Sequence, residues 1–304
     1  MKKPRFHVFL HTRDNDYQVA QASSAEQAAG KLDIEIEIAY ADNDAVTQST
    51  QILKAIQSMP ASRPDAIILE PISMIALPQA ARAACKAGIG WAVLNRAPEY
   101  LSQLRAETTV PVFALSSDHA EIGRIQGRQF SALLPKGGSV LYLEGPSRSS
   151  AAQQRTAGML ETKPPNIQIA TLKGDWTELS AQRAVRSWLK LATSQTAVID
   201  LVAAQDDSMA MGARKAFQEI SDPGAQRRWL SLPFMGCDGQ PATGQTWVQE
   251  GLLATTIYIP PIAGQAVEIL VAAIKAGAQP PQHAFTKSYS VPPLDVLARR
   301  KPQS

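Results

Sequence analysis

Residues 116–144 read SSDHAEIGRIQGRQFSALLPKGGSVLYLE. A helical pattern runs over 118–134, the turn Pro135-Lys136-Gly137-Gly138 stops it, and Ser139 to Glu144 reads as a strand. The same rhythm has already occurred upstream. Phe6 to Leu10, Ile34 to Tyr40, Ala66 to Leu69 and Trp91 to Leu94 are short apolar runs with the character of buried parallel strands, and helical patterns at about 16–31, 45–58 and 73–87 separate them. Ala87-Gly88 ends the last of these with glycine in the C-cap position. Such alternation makes a parallel sheet with helices on both faces. The stretch 116–144 is therefore where a second sheet begins.

Downstream, strands are expected near 167–171, 199–203 and 232–236, with a last one from Leu253 to Tyr258. Helices are expected near 150–160, 177–192, 207–220, 241–250 and 262–276. One sheet of about ten strands would strain against its own twist, so two similar α/β lobes fit better, with the ligand between them.

With 304 residues, 45% of them hydrophobic and 19% charged, the chain can bury its core without metals or disulfides. The net charge of +3 is thinly spread, and no basic stretch interleaves with aromatics, so nucleic acid is not an expected partner. Arg299, Arg300 and Lys301 read as a solvated basic end. Cys85 and Cys237 are too few for a disulfide framework and have no metal-ligand spacing. His7 and His11 flank a strand without a third ligand, so no metal is expected, nor any other cofactor. No phosphate-binding glycine loop follows the first strand, and Gly123 and Gly127 look like a helix-packing seam. No apolar leader or membrane span is evident. The chain is cytoplasmic if Met1 is its native start and periplasmic if a leader has been removed.

In open parallel sheets ligands meet the loops beyond the carboxyl ends of the strands. Those ends here carry Asp14-Asn15-Asp16-Tyr17, Glu70-Pro71, Asn95-Arg96, Asp206-Asp207, Cys237-Asp238-Gly239 and Tyr258, while Arg155 and Trp176 follow other strands.

The succession Asn15-Asp16-Tyr17, Asn95-Arg96, Ser117-Asp118, Ser150-Ala151-Ala152-Gln153-Gln154-Arg155, Asp206-Asp207-Ser208-Met209-Ala210-Met211-Gly212-Ala213 and Gly236-Cys237-Asp238-Gly239 resembles the periplasmic sugar-binding proteins of the ribose-binding type, from about residue 5 to 292. The same fold, the type I periplasmic-binding fold, forms the effector domain of lactose-repressor-like regulators. The resemblance implies two Rossmann-like three-layer lobes, residues 1–117 plus 259–285 and 118–258 plus 286–304. Three hinge crossovers near 116–118, 258–260 and 285–287 would join them and close them on a ligand. It also implies that Asn15, Tyr17, Asn95, Arg96, Arg155, Trp176, Asp206, Asp238 and Tyr258 face the ligand, with Gln18 and Glu70 as weaker additions. As a transport receptor the protein would serve a membrane permease, as a sensor it would pass its change of shape to a kinase or other partner, and a monomer is expected.

Sugar chemistry asks for the same parts. Hydroxyls need acid acceptors and fixed donors, and the apolar ring face needs an aromatic platform. Asp206 and Asp238 accept, Arg96 and Arg155 grip paired oxygens, and Trp176 or Tyr17 covers the ring. The chain departs from the common pattern in having Asn95 for an aspartate, Cys237 for a phenylalanine and Tyr258 for an amide. A polyol, a deoxysugar or a ligand with an acidic group would suit the altered balance, and the sequence leaves the choice open.

Arg96 and Arg155 have surface ion pairing as their alternative role, and Trp176 has packing onto the helix that starts at Thr177. Asp207 and Asp118 are read as helix caps, which leaves Asp206 as the ligand residue of its pair. No nucleophile stands beside a base, so an enzyme is not expected. The alternative to a transport receptor is a ligand-sensing regulator without the helix-turn-helix extension of a repressor.

Overall fold

The structure, a computed structural model, describes residues 3–73, 77–96 and 98–299. The start of the helix expected over 73–87 and the Arg300-Lys301 portion of the basic end lie outside the described residues. By its contacts the chain divides into two compact units. Unit 1 comprises Met1–Arg13, Tyr17–Ser117 and Pro261–Thr286, and unit 2 comprises Asp14–Asp16, Asp118–Pro260 and Lys287–Ser304.

Unit 1 alternates β1 (Arg5–Leu10), α1 (Asp16–Leu32), β2 (Glu35–Tyr40), α2 (Ala45–Ile56), β3 (Ala66–Leu69), α3 (Leu77–Lys86), β4 (Gly90–Leu94), α4 (Leu101–Ala106) and β5 (Val112–Ser117). Unit 2 runs through α5 (His119–Leu133), β6 (Gly138–Glu144), α6 (Ser150–Thr162), β7 (Ile167–Lys173), α7 (Glu178–Leu189), α8 (Ala192–Thr196), β8 (Leu201–Ala204), α9 (Asp207–Gln218), α10 (Pro223–Leu230), β9 (Phe234–Met235), α11 (Thr246–Gln249) and β10 (Thr256–Tyr258). The chain then returns to unit 1 for α12 (Ala263–Ala276) and β11 (His283–Thr286), and ends in unit 2 with β12 (Tyr289–Val291) and α13 (Leu294–Arg299).

The unit 1 sheet has the order β11-β5-β4-β3-β1-β2, and every pairing is parallel. Strand residues alternate between its faces. Phe6, Val8, Ile68, Leu94 and Phe113 pack with the alanines of α1 and with Val267 and Leu270 of α12. Phe9, Ile67, Trp91, Val93 and Val112 pack with α2, α3 and α4. Because both faces are covered, β3 and β4 are buried at every position, which is why they read as unbroken apolar runs.

The unit 2 sheet, β7-β6-β8-β9, is also parallel. Leu141, Val202 and Phe234 face α7 and α9, while Val140, Tyr142 and Leu201 face Phe130 of α5 and Met159 of α6. β10 and β12 form a separate antiparallel pair. The expected fold class, α/β with parallel sheets in two lobes, is the one observed.

The Gly123 seam is real. A Cβ there would lie 2.0 Å from the Arg155 carbonyl oxygen, and one on Gly158 would lie 2.0 Å from that of Ala120, so α5 and α6 pack backbone to backbone. This contact sets how closely the α6 backbone at Arg155 approaches α5. The helix expected over 241–250 is only partly α-helical. Residues Pro241–Gln245 form a wider π-helical turn, with the Gln245 N–H donating to Gln240 O at 3.1 Å, before α11 resumes. β5, α4, α8, α10, α13 and the strands β11 and β12 were not among the expected elements. All but β5 are short or largely polar, and β5 runs straight into the Ser116-Ser117-Asp118 restart.

Candidate functional site

In unit 2 the polar residues gather at the carboxyl ends of the strands. Arg155, on the first turns of α6, is buried and donates from one guanidinium nitrogen to the carbonyl oxygen of Gln205, just past β8. The same nitrogen lies 4.0 Å from Asp238 Oδ1, and the guanidinium stands 5.4 Å from the centre of the Trp176 ring. Gln205 braces the arginine. Its amide donates to the Tyr142 hydroxyl, the Ala152 carbonyl and the Thr156 hydroxyl, each at 3.0 Å, and its carbonyl accepts from Gly145 N at 2.9 Å. An acceptor, a fork donor and an aromatic face thus come together in one unit, and Asn15 joins them by donating to Trp176 O at 2.8 Å and to Asp206 Oδ2 at 3.3 Å.

The helix cap expected of Asp207 belongs to Asp206. Asp206 has extended backbone and accepts from Met209 N through Oδ1 at 2.6 Å, so it is the N-cap of α9. Asp207, the first helical residue, instead accepts from Gly239 N at 2.7 Å and from the Thr256 hydroxyl at 2.6 Å. The cap goes to the residue whose backbone is still extended, and the sequence of two adjacent aspartates does not show which that is. Asp118 caps α5 as expected, accepting from Glu121 N at 2.9 Å.

Burial dominates the electrostatics of this cluster. It pushes the Asp206 carboxyl up to about 7, opposed by the Met209 N–H and by Arg155. It also raises Asp207, against hydrogen bonds from Thr256 and Gly239, and Asp238, against Arg155. The neighbouring carboxylates add to both shifts. Cys237 is buried and its thiol is pushed far up the scale, which keeps it protonated. Tyr258 leans on Tyr289 at 5.2 Å, and its strand residue bridges Asp238.

Unit 1 assembles a second set. The Tyr17 hydroxyl accepts from Asn95 Nδ2 at 3.3 Å and from Gln21 Nε2 at 3.2 Å. Gln21 also donates to Glu70 Oε2 at 3.3 Å, while its own carbonyl accepts from Ile262 N and Ala263 N at 2.7 and 2.8 Å. It thereby caps α12, which has no side-chain cap of its own. Asn95 Oδ1, buried, makes no hydrogen bond among the described residues and is an acceptor in waiting. Arg96 donates to Asn95 O at 2.8 Å, and Gln18 accepts from His11 N at 3.0 Å. Sequence reading passed over Gln21. Its signal is a polar residue within the buried stripe of α1, four positions after Tyr17.

Six residues other than glycine have positive φ among the described residues, and three of them are Asn95 (φ 55), Trp176 (φ 62) and Asp238 (φ 107). Such backbone costs free energy, most of all for tryptophan, and persists where the surroundings over-determine it. The Trp176 ring lies so close over Gly145 that a Cβ there would come within 2.3 Å of it, and its inner side packs on the α7–α9 core. Trp176 therefore serves in packing as well as beneath Arg155. His7 pairs with Glu37 at 3.2 Å, and no cluster of three metal-ligating side chains occurs among the described residues.

A family model described as a periplasmic binding protein domain matches residues 6–279. The chain belongs to this family. Relatives in the periplasmic binding protein family include the ribose import binding protein of Escherichia coli (strain K12), 24% identical over 84% of this chain and 79% of that protein. They also include the galactofuranose-binding protein of the same organism, 26% identical over 90% of this chain and 83% of that protein. Across five curated relatives the chain spans 64 to 84% of the relative's length. Among solved structures, an ABC transporter periplasmic solute binding protein from Actinobacillus succinogenes 130z with bound D-allose shares the fold. Its TM-score is 0.80 and its identity 23%, over 98% of this chain and all of that one.

Proposed function

We propose that this periplasmic binding protein holds a sugar or polyol, acts by binding and not by catalysis, and serves as the receptor of an ABC-type sugar transporter. The observation that carries the reading is Arg155, buried 4.0 Å from Asp238 and standing over Trp176. A guanidinium fork donates to two neighbouring hydroxyls, a carboxylate accepts from the next, and the indole covers the ring's apolar face. The names of the relatives support the same chemistry, since those proteins are described as binding ribose and galactofuranose.

Transport follows if a membrane permease recognises the sugar-bound protein. The direct test is titration of Arg155→Ala and Asp238→Ala. Each removes a charged hydrogen bond worth about 1.5–3 kcal/mol, so each weakens sugar binding roughly ten- to a hundredfold with the fold intact. Unchanged affinity in both variants would remove this site from the account.

A further inference from the structure

Asp207 is buried, and both of its carboxylate oxygens are engaged: Gly239 N–H donates to Oδ2 at 2.7 Å and the Thr256 hydroxyl to Oδ1 at 2.6 Å. Gly239 follows Asp238, and Thr256 stands two residues before Tyr258. One side chain therefore ties down both segments that carry ligand candidates. The surrounding backbone is shaped to admit it. A Cβ on Gly236 would lie 2.1 Å from Oδ1 and one on Gly244 2.0 Å from Oδ2, so only glycine fits at either position. Gly244 lies in the widened π-helical turn.

Asp238 needs this restraint. Its φ of 107 is a conformation that an L-residue leaves when free to do so. Its backbone is paired with the strand beside it, through Asp238 N to Ile257 O and Ile259 N to Asp238 O, both at 2.9 Å, and Gln240 donates to its carbonyl at 2.9 Å. These bonds hold the chain on the β10 side, and Asp207 is the side chain that holds it from α9.

We propose that Asp207 is the positioning residue of the binding site: it sets the Asp238 carboxylate and Tyr258 relative to the start of α9 and so determines affinity and selectivity among sugars. This rests on the sugar-binding reading above. The role is one of hydrogen bonding and not of charge. An asparagine keeps it, accepting from Gly239 N–H through Oδ1 and donating from Nδ2 to Thr256 Oγ1. An alanine leaves both donors buried without a partner.

The experiment is calorimetric titration of the full chain with D-ribose, D-allose, D-galactose and myo-inositol, comparing the unaltered protein with Asp207→Ala, Asp207→Asn, Thr256→Val and Asp238→Ala, each at a temperature where circular dichroism shows it folded. Asp207→Ala and Thr256→Val are expected to weaken binding of the preferred probe about tenfold or more and to compress its preference over the next best probe. Asp207→Asn is expected to restore both. A residue that merely stabilises the fold would leave affinity and preference unchanged below the melting transition. If Asp207→Ala does not fold, Thr256→Val carries the test. Unchanged affinity and preference in the Asp207 and Thr256 variants, with binding lost in Asp238→Ala, would overturn the inference alone. Unchanged binding in Asp238→Ala matched by unchanged binding in Arg155→Ala, or no binding of any probe by the unaltered protein, would overturn the sugar-site reading with it.

Discussion

In unit 1 the residue at the centre of the carboxyl-end cluster is an amide, Gln21, which links Tyr17 and Glu70 to the first turn of α12. In unit 2 it is a carboxylate, Asp207, which links the first turn of α9 to Gly239 and Thr256. The two do the same mechanical work: each satisfies backbone or hydroxyl donors that burial would otherwise leave orphaned, and each fixes neighbouring side chains by doing so. They differ in what pH can do to them. An amide does not titrate, whereas Asp207 stands beside Asp206 and Asp238, all three with carboxyls raised by burial. A group of carboxyls raised together by burial is therefore a feature of the unit 2 cluster.

The largest effect that would sharpen this comparison comes from Gln21→Ala. It orphans two backbone N–H groups and strips Tyr17 and Glu70 of a shared donor, which should destabilise the protein by about 2–3 kcal/mol and lower its melting temperature by several degrees. The shift should be the same at pH 5 and pH 8, and a strongly pH-dependent shift would break the contrast. Gly123→Ala should act next. Its methyl group meets the Arg155 carbonyl at 2.0 Å, and forcing α5 and α6 apart should cost about 1–3 kcal/mol while weakening sugar binding several-fold through displacement of Arg155. Thermal melts and titrations on the same sample separate the two consequences.

A subtler effect is the pH dependence of the ligand-free protein. Asp206 titrates near 7 when folded, against an ordinary value of 3.8. The folded state then binds more protons than the unfolded chain between those limits, so stability falls as pH rises from about 4 to about 7 and levels off above. Asp207, Asp238 and Asp16, each raised, act in the same direction. Melting temperature should decline from pH 5 to pH 8, and Asp206→Asn should flatten that decline. The buried His7 imidazole, lowered from its ordinary value by burial, acts in the opposite direction, so a slope of opposite sign that persists in His7→Gln would mean that these carboxyls are not desolvated as described.

The fold was legible because its strands are covered on both faces. Ala66–Leu69 and Gly90–Leu94 have no polar position to confuse the period, and the glycine at 88 does adopt the positive φ of a C-cap. His283–Thr286 and Tyr289–Val291 were not legible as strands, since each is three or four residues long and half exposed. The candidate residues were read from their position at strand ends and from the family resemblance, and position is a rule of topology that needs no side-chain detail. What that rule does not see is the side chain's second partner. Asp206 and Asp207 both precede the same apolar helical run, and only the extended backbone at 206 and the turn folded back from 239 assign the cap to one and the cross-link to the other. Gln21 escaped for a similar reason, because its partners Ile262 and Ala263 lie some 240 positions away in the chain.

The most direct test of the central claim is calorimetric titration of the unaltered protein and of Arg155→Ala and Asp238→Ala with the four sugars and polyols named above. The account predicts that at least one of them binds the unaltered protein, and that each variant loses at least about tenfold in affinity for it while keeping its circular dichroism. No binding by any of the four, or undiminished affinity in both variants, would contradict it.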